Sequence, residues 1–252
     1  MQSIFSARNR QVLQRFASAG TLVALDFDGT LAPIVRDRDR AAMRQTTRRL
    51  LARLAVQYPC VVISGRARSD VRRRLKEAGI RHIVGNHGIE PWSTSPELES
   101  AVRRWFPLIE ESLRQFPGAG VEDKRFSVAV HYRGEPRKQQ VRRAIATVAA
   151  RLGEVRLVGG KQVVNILPAQ APHKGVAFAQ ALRRSRCKRA IYIGDDDTDE
   201  DVFVLPGGGR LLTIRIGLNR DSLARYYIRS QRDIDRFIRK LIELRAGPTA
   251  GK

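Results

Sequence analysis

The sequence predicts an α/β protein in which a Rossmann-like parallel-sheet core is built from both ends of the chain, with a smaller α/β domain inserted between them. Three observations predict it. Short apolar, β-branched runs recur with helix-like segments between them, which is the pattern of βαβ units. Two of those runs end in acids, LVALDFDGTL (22–31) and AIYIGDDDTDED (190–201). The middle of the chain changes character, with two long amphipathic stretches and a glycine-rich hairpin signal.

In chain order, the first segment reads as a helix closing at Gly20. The core strands are then Leu22–Leu25, Cys60–Ile63, His82–Val84, Ala190–Ile193 and Leu211–Ile214. Each is a near-continuous apolar run, as a strand covered on both faces requires. Arg44–Gln57 carries Leu50, Leu51, Leu54 and Ala55 at helical spacing, and Ser69–Ala78 follows with Gly79 as its C-cap. The insertion has helices over Ser95–Gln115 and Arg137–Leu152 and strands at Phe126–His131, Glu154–Val158 and Gln162–Leu167. Its Gly159-Gly160 pair reads as a hairpin turn. A helix over Lys174–Arg184 returns the chain to the core. The boundaries are therefore residues 1–89 and 171–252 for the core and 90–170 for the insertion. The tail GPTAGK is the one low-complexity stretch.

Composition limits the function classes. The chain has 252 residues, 42% hydrophobic and 29% charged, as in a globular protein with a substantial core. No apolar run approaches a membrane span, and the N-terminus lacks the apolar stretch of a secretory signal. Two cysteines, Cys60 and Cys187, lie beside β-like runs and read as core thiols of a cytoplasmic protein. The net charge of +22 favours anionic partners. The basic residues are dispersed along helix-like segments, and aromatic content is only 6%. Nucleic-acid binding is therefore not expected as the main task.

The acids carry the chemistry. Asp26 and Asp28 fall at the carboxyl end of a buried strand, where open α/β sheets bind ligands. Like charges one residue apart call for a cation or a shared proton. In GDDDTDED, five of eight residues are aspartates. A solvated loop or helix N-terminus is one reading of that run, and a hard divalent cation such as Mg²⁺ is the other. The run lacks the spacing of an EF-hand. Ser64, with Gly65 behind it, offers a hydroxyl and an N–H at a strand end. Lys174 opens a helix, an unfavourable place for a cation unless an anion shares it.

In this order DFDGT (26–30), Ser64, Lys174 and GDDDTD (194–199) resemble the haloacid dehalogenase superfamily of phosphotransferases. LDFDGTLAPI, VVISGR, GNHGIE (85–90), VEDKRFSVAVHYR (121–133) and GDDDTDEDVF further resemble trehalose-6-phosphate phosphatases. The resemblance implies a haloacid dehalogenase-like core with an inserted α/β cap domain that recognises the sugar. It implies an aspartyl-phosphate formed on Asp26, acid and base catalysis by Asp28, and orientation by Thr30. Ser64 and Lys174 would hold phosphoryl oxygens. Asp26, the main-chain carbonyl of Asp28 and Asp195 would bind Mg²⁺, with Asp196 and Asp199 behind them. Lys124, His131, Arg133 and Asn165 are the implied sugar contacts, assisted by Glu122. Gly65, Arg66, His87 and Glu90 lie near the hinge and pocket mouth.

One departure matters. The family pattern usually has glutamate where VVNILP carries Asn165, a neutral group that both donates and accepts. The expected activity is Mg²⁺-dependent hydrolysis of trehalose 6-phosphate, with another sugar or polyol phosphate as the alternative substrate. A phosphomutase, or a non-catalytic anion or nucleic-acid binder, are the readings from other classes.

Overall fold

The computed structural model describes residues 1–35 and 37–246, so the GPTAGK tail lies outside the described residues. Along the first segment the elements are β1 (Gln2–Ser3), α1 (Arg10–Phe16), β2 (Thr21–Leu25), α2 (Gln45–Gln57), β3 (Cys60–Ile63), α3 (Arg68–Arg74) and β4 (His82–Val84). The middle segment has α4 (Pro96–Leu113), β5 (Gly120–Asp123), β6 (Val128–His131), α5 (Lys138–Ala149), β7 (Val155–Gly160) and β8 (Val163–Pro168). The last has α6 (Lys174–Ser185), β9 (Arg189–Gly194), α7 (Glu200–Phe203), β10 (Leu211–Ile216), β11 (Tyr226–Ile228) and α8 (Ile234–Ala246).

These fall into two compact units, Met1–His87 with His173–Lys252, and Gly88–Pro172. In the first, seven parallel strands run in the order β1-β11-β10-β9-β2-β3-β4. The chain moves from β2 toward β3 and later returns on the other side of β2 with β9. The β2/β9 pair is thus the topological switch point, where the strand ends leave a crevice. Val23, Leu25, Ile191, Ile193 and Ile214 point to one face and join a core with Leu50, Leu51 and Leu54 of α2. Helix α8 adds Ile234, Phe237, Ile238, Leu241 and Ile242, an i, i+3, i+4, i+7, i+8 stripe. On the other face Tyr192 meets Phe178 of α6 and Phe203 of α7 edge-on, at 5.6 and 5.9 Å between ring centres.

The second unit is a four-stranded antiparallel sheet in the order β5-β6-β8-β7. Val128, Val130, Val164 and Ile166 pack with Val102, Ile109 and Ile145 of α4 and α5. Pleating then turns Asn165 and His131 away from those helices. Ser95 caps α4 by accepting from Leu98 N, with Pro96 at the first position, so the helix starts where a cap and a proline coincide.

Several local readings differ from the sequence expectation. Helix α3 stops at Arg74, because Glu77 adopts a left-handed φ of 69°, so Gly79 is not its cap. The β7–β8 hairpin turns at Lys161-Gln162, with Gln162 at φ 66°, while Gly159 and Gly160 remain paired in the strand. Strand β5 is an unexpected strand, since GVED has no apolar run, and it is held by pairing with β6. Cys60 is buried, whereas Cys187 is half-exposed rather than a core thiol; both are free.

Candidate active site

At the carboxyl end of β2, Asp26 N donates to Ile193 O of β9 and Asp195 follows β9 directly, so the switch point sets these carboxylates side by side. The DFDGT loop folds back on itself, with Leu31 N and Ala32 N both donating to Phe27 O. Gly29, at φ 85°, lies so close to Asp195 that a Cβ there would overlap its carboxylate. Only glycine allows that approach.

Lys174 is buried and donates to Asp26 Oδ1 at 2.9 Å and to Asp199 Oδ1 at 2.7 Å. Burial opposes its charge, but Asp199 and Asp26 hold Lys174 protonated, well above the usual lysine range. Burial also pushes the Asp26 carboxyl up; Lys174 works against this, and Asp199, Asp195 and Asp28 add to it. Asp199 is fully engaged. Its Oδ1 accepts also from Tyr192 OH at 2.7 Å, and its Oδ2 from the main-chain N–H groups of Asp195 and Asp196, each at 2.9 Å. Asp196 caps the short turn that leads into α7. Part of the acidic run therefore builds a helix start, as one sequence reading has it, and Asp195 lies beside Asp26.

Asp26, Asp195 and Asp199 each place an oxygen within 4.8 Å of the others, all three buried. Three carboxylates against one ammonium leave a local excess of negative charge that a divalent cation balances. With Asp199 committed to four hydrogen bonds, Asp26 and Asp195 are the carboxylates fitted to ligate it. The donor set is all oxygen, as Mg²⁺ requires.

Asp28 is about one-third exposed and is gripped by Arg66, with Nε to Oδ2 at 2.6 Å and Nη2 to Oδ1 at 2.8 Å. The same guanidinium donates to Asp70 Oδ2 and to Arg38 O, both at 2.9 Å. Burial disfavours the Arg66 charge, yet the hydrogen bonds to Asp28 and Asp70 more than reverse that and raise its pKa. Arg66 thus holds Asp28, a role its place after Ser-Gly does not announce. Ser64 is buried, with its Oγ accepting from Arg66 N. Gly65 lies against the His87 ring, where a Cβ would overlap it. The hydrogen bonds from Asn86 N to Arg66 O and from His87 N to Ser64 O lace these two loops together. Thr30 is buried, and its hydroxyl has no hydrogen-bond partner among the described residues.

In the second unit, Lys124 Nζ donates to Asn165 Oδ1 at 2.8 Å, and Asn165 Nδ2 to Val158 O at 3.4 Å. His131 Nε2 and Glu122 Oε2 are 3.0 Å apart. Arg133 is exposed and reaches Lys161 O at 3.2 Å, and Glu90 is half-buried. Sequence reasoning missed Tyr192, Asp70 and Gln231, whose amide donates to Thr30 O and Leu31 O at 3.1 Å each. A signal existed for Tyr192: a hydroxyl in a buried apolar strand needs a partner.

The core sheet with its acids at the switch point is a haloacid dehalogenase-like arrangement. It is shared with a hydrolase of that type from Bacteroides thetaiotaomicron, at 15% identity and TM-score 0.63 over 88% of this chain and 99% of that one. The trehalose-6-phosphate phosphatase C-terminal domain of Candida albicans has the same fold, with TM-score 0.77 and 19% identity over 93% of this chain and 97% of that one. Residues 24–205 match the trehalose-phosphatase family model, and the chain belongs to that family. A probable trehalose-phosphate phosphatase D of Arabidopsis thaliana is 31% identical over 245 residues, covering 87% of this chain and 66% of that protein. The chain spans just under two thirds of the length of three such plant relatives, 65–66%. No helix among the described residues is long and apolar enough to cross a membrane.

Proposed function

We propose that the protein is a Mg²⁺-dependent phosphatase that hydrolyses trehalose 6-phosphate through an aspartyl-phosphate, in the cytoplasm. The observation that carries this reading is the buried Lys174–Asp26 contact of 2.9 Å beside Asp195. It aligns a carboxylate nucleophile with the charge compensation that phosphoryl transfer needs. Asp26 attacks phosphorus as the bond to the sugar oxygen breaks, and Asp28 gives that oxygen a proton. Asp28 then takes a proton from water, whose oxygen attacks the phosphorus and frees Asp26 and inorganic phosphate. Arg66 holds Asp28 as a carboxylate, and one of these two contacts opens when Asp28 carries the proton that it gives to the sugar oxygen. Ser64, Thr30 and Lys174 hold the phosphoryl oxygens. Asp26, the Asp28 carbonyl and Asp195 would hold Mg²⁺, which would supply further neutralisation of the transferred charge. Asp196 and Asp199 orient that set.

The unit at 90–170 acts in this reading as the cap that recognises the sugar, through Lys124, His131, Arg133 and Asn165, with Gly65, Arg66 and His87 on the core side. A second substrate reading, another sugar or polyol phosphate, is favoured by Asn165, whose oxygen is taken by Lys124. The test is phosphate release with Mg²⁺ over a panel of sugar phosphates. The highest kcat/KM is expected for trehalose 6-phosphate; a hexose phosphate ahead of it would select the second reading.

A further inference from the structure

A cavity of about 930 Å³ opens at the amino ends of β9 and β10, the sheet edge opposite the aspartates. Arg189 begins β9 and Asp195 follows its end, so six residues of strand, roughly 20 Å, separate the two places. Its rim carries Arg15, Arg183, Lys188, Arg189 and Arg210, and no carboxylate lines it. Among the described residues none of these five pairs with an acid. Arg15 and Arg183 lie in the last turns of α1 and α6, where the helix dipole favours a cation. Lys188, Arg189 and Arg210 have no such support; Arg189 Nη1 donates to Ser18 Oγ at 3.1 Å, and the other four cationic residues are exposed around the same opening. The floor is apolar, made by Phe178, Leu182, Leu205 and Leu211.

We propose that this cavity binds a small polyanion with a flat apolar body, and a nucleoside triphosphate is the class that meets both demands. Its phosphates replace the missing counter-charges, and arginine forks match phosphate oxygens two at a time. Its base covers the floor and stacks on the guanidinium planes. The volume is within the usual range of ligand pockets. The site is independent of the phosphatase reading, because none of its residues belongs to the Asp26 cluster.

Cys187 lines the same cavity and is half-exposed, whereas Cys60 is buried with its thiol pushed up to about 12, so the chain holds a reporter and its control. The probe is adenosine 5′-(β,γ-imido)triphosphate, titrated calorimetrically into the full chain without Mg²⁺ at about 50 mM salt. Saturation should slow Cys187 alkylation about tenfold and leave Cys60 unchanged. Arg183→Glu with Arg210→Glu should weaken binding at least about thirtyfold, and Arg142→Glu with Arg143→Glu on the exposed face of α5 less than about threefold. Arg210→Gln alone should weaken it about fivefold if the double variant does not fold. Equal losses in the two double variants would mean general charge attraction and overturn the proposal. So would an unprotected Cys187, inorganic tripolyphosphate binding as tightly as the nucleotide, or a DNA duplex protecting Cys187 better than either.

Discussion

The buried cluster at the carboxyl ends of β2 and β9 and the polar face of the second sheet solve different problems. In the first, Lys174 and Asp199 have side chains 3% and 0% exposed; Lys174 bridges Asp26 and Asp199, and Asp199 accepts four hydrogen bonds. In the second, His131 and Glu122 remain 31% and 29% exposed as a pair, while Asn165 is buried and accepts from Lys124. In a buried network of charges, removing an ionised member leaves its partner unpaired, at a large cost. The half-exposed His131–Glu122 pair can be exchanged at lower cost, which in the proposed reading suits residues that choose a substrate. In the proposed reading, the shared chemistry lies in the buried cluster and the choice of substrate on the sheet face.

The sharpest way to break that contrast is Lys174→Met. It strands Asp26 and Asp199 together, so stability should fall by about 3–5 kcal/mol, a Tm loss on the order of 10 °C by calorimetry, with loss of phosphate release. A variant as stable as wild type would show that the network is not a unit. On the other sheet, Lys124→Ala should lower kcat/KM for trehalose 6-phosphate about a hundredfold while a small aryl phosphate is used nearly as before. Equal losses on both substrates would erase the division of labour. Tyr192→Phe removes one of four hydrogen bonds to Asp199, and chemical denaturation should register about 1–2 kcal/mol.

Cys60 belongs to neither region and gives the smallest effect. Its thiol titrates at about 12 in the fold and near 9 when unfolded, so between those values the unfolded state binds fewer protons and stability falls as pH rises. Raising the pH from 9 to 10 should cost wild type roughly 1 kcal/mol more than Cys60→Val. Parallel denaturation midpoints for the two would contradict the shift.

Legibility followed the same division. LDFDGTL and GDDDTDED were readable because acids at the end of an apolar run violate the ordinary pattern of burial and call for charge compensation, which Lys174 in part provides. Helices α4 and α5 were readable as long amphipathic stretches. What stayed hidden depends on partners distant in sequence. Arg66 meets Asp28 across 38 positions, and Gln231 supports Thr30 from 201 positions away. The two-residue β1 and the acidic β5 owe their conformation to pairing, not to their own residues. Asp199 carried the right residue type, but its service to Lys174, Tyr192 and two main-chain amides is visible only in three dimensions.

The central claim is that Asp26 takes the phosphoryl group while Asp28 moves the proton. Acid quenching of the protein during turnover of trehalose 6-phosphate with Mg²⁺, followed by peptide mass spectrometry, tests both roles. The account predicts a phosphoryl adduct on the peptide containing Asp26, enriched in Asp28→Asn and absent from Asp26→Asn, whose turnover should fall at least about a thousandfold. A phosphoryl group on any other residue, or Asp26→Asn turning over near the wild-type rate, would contradict it.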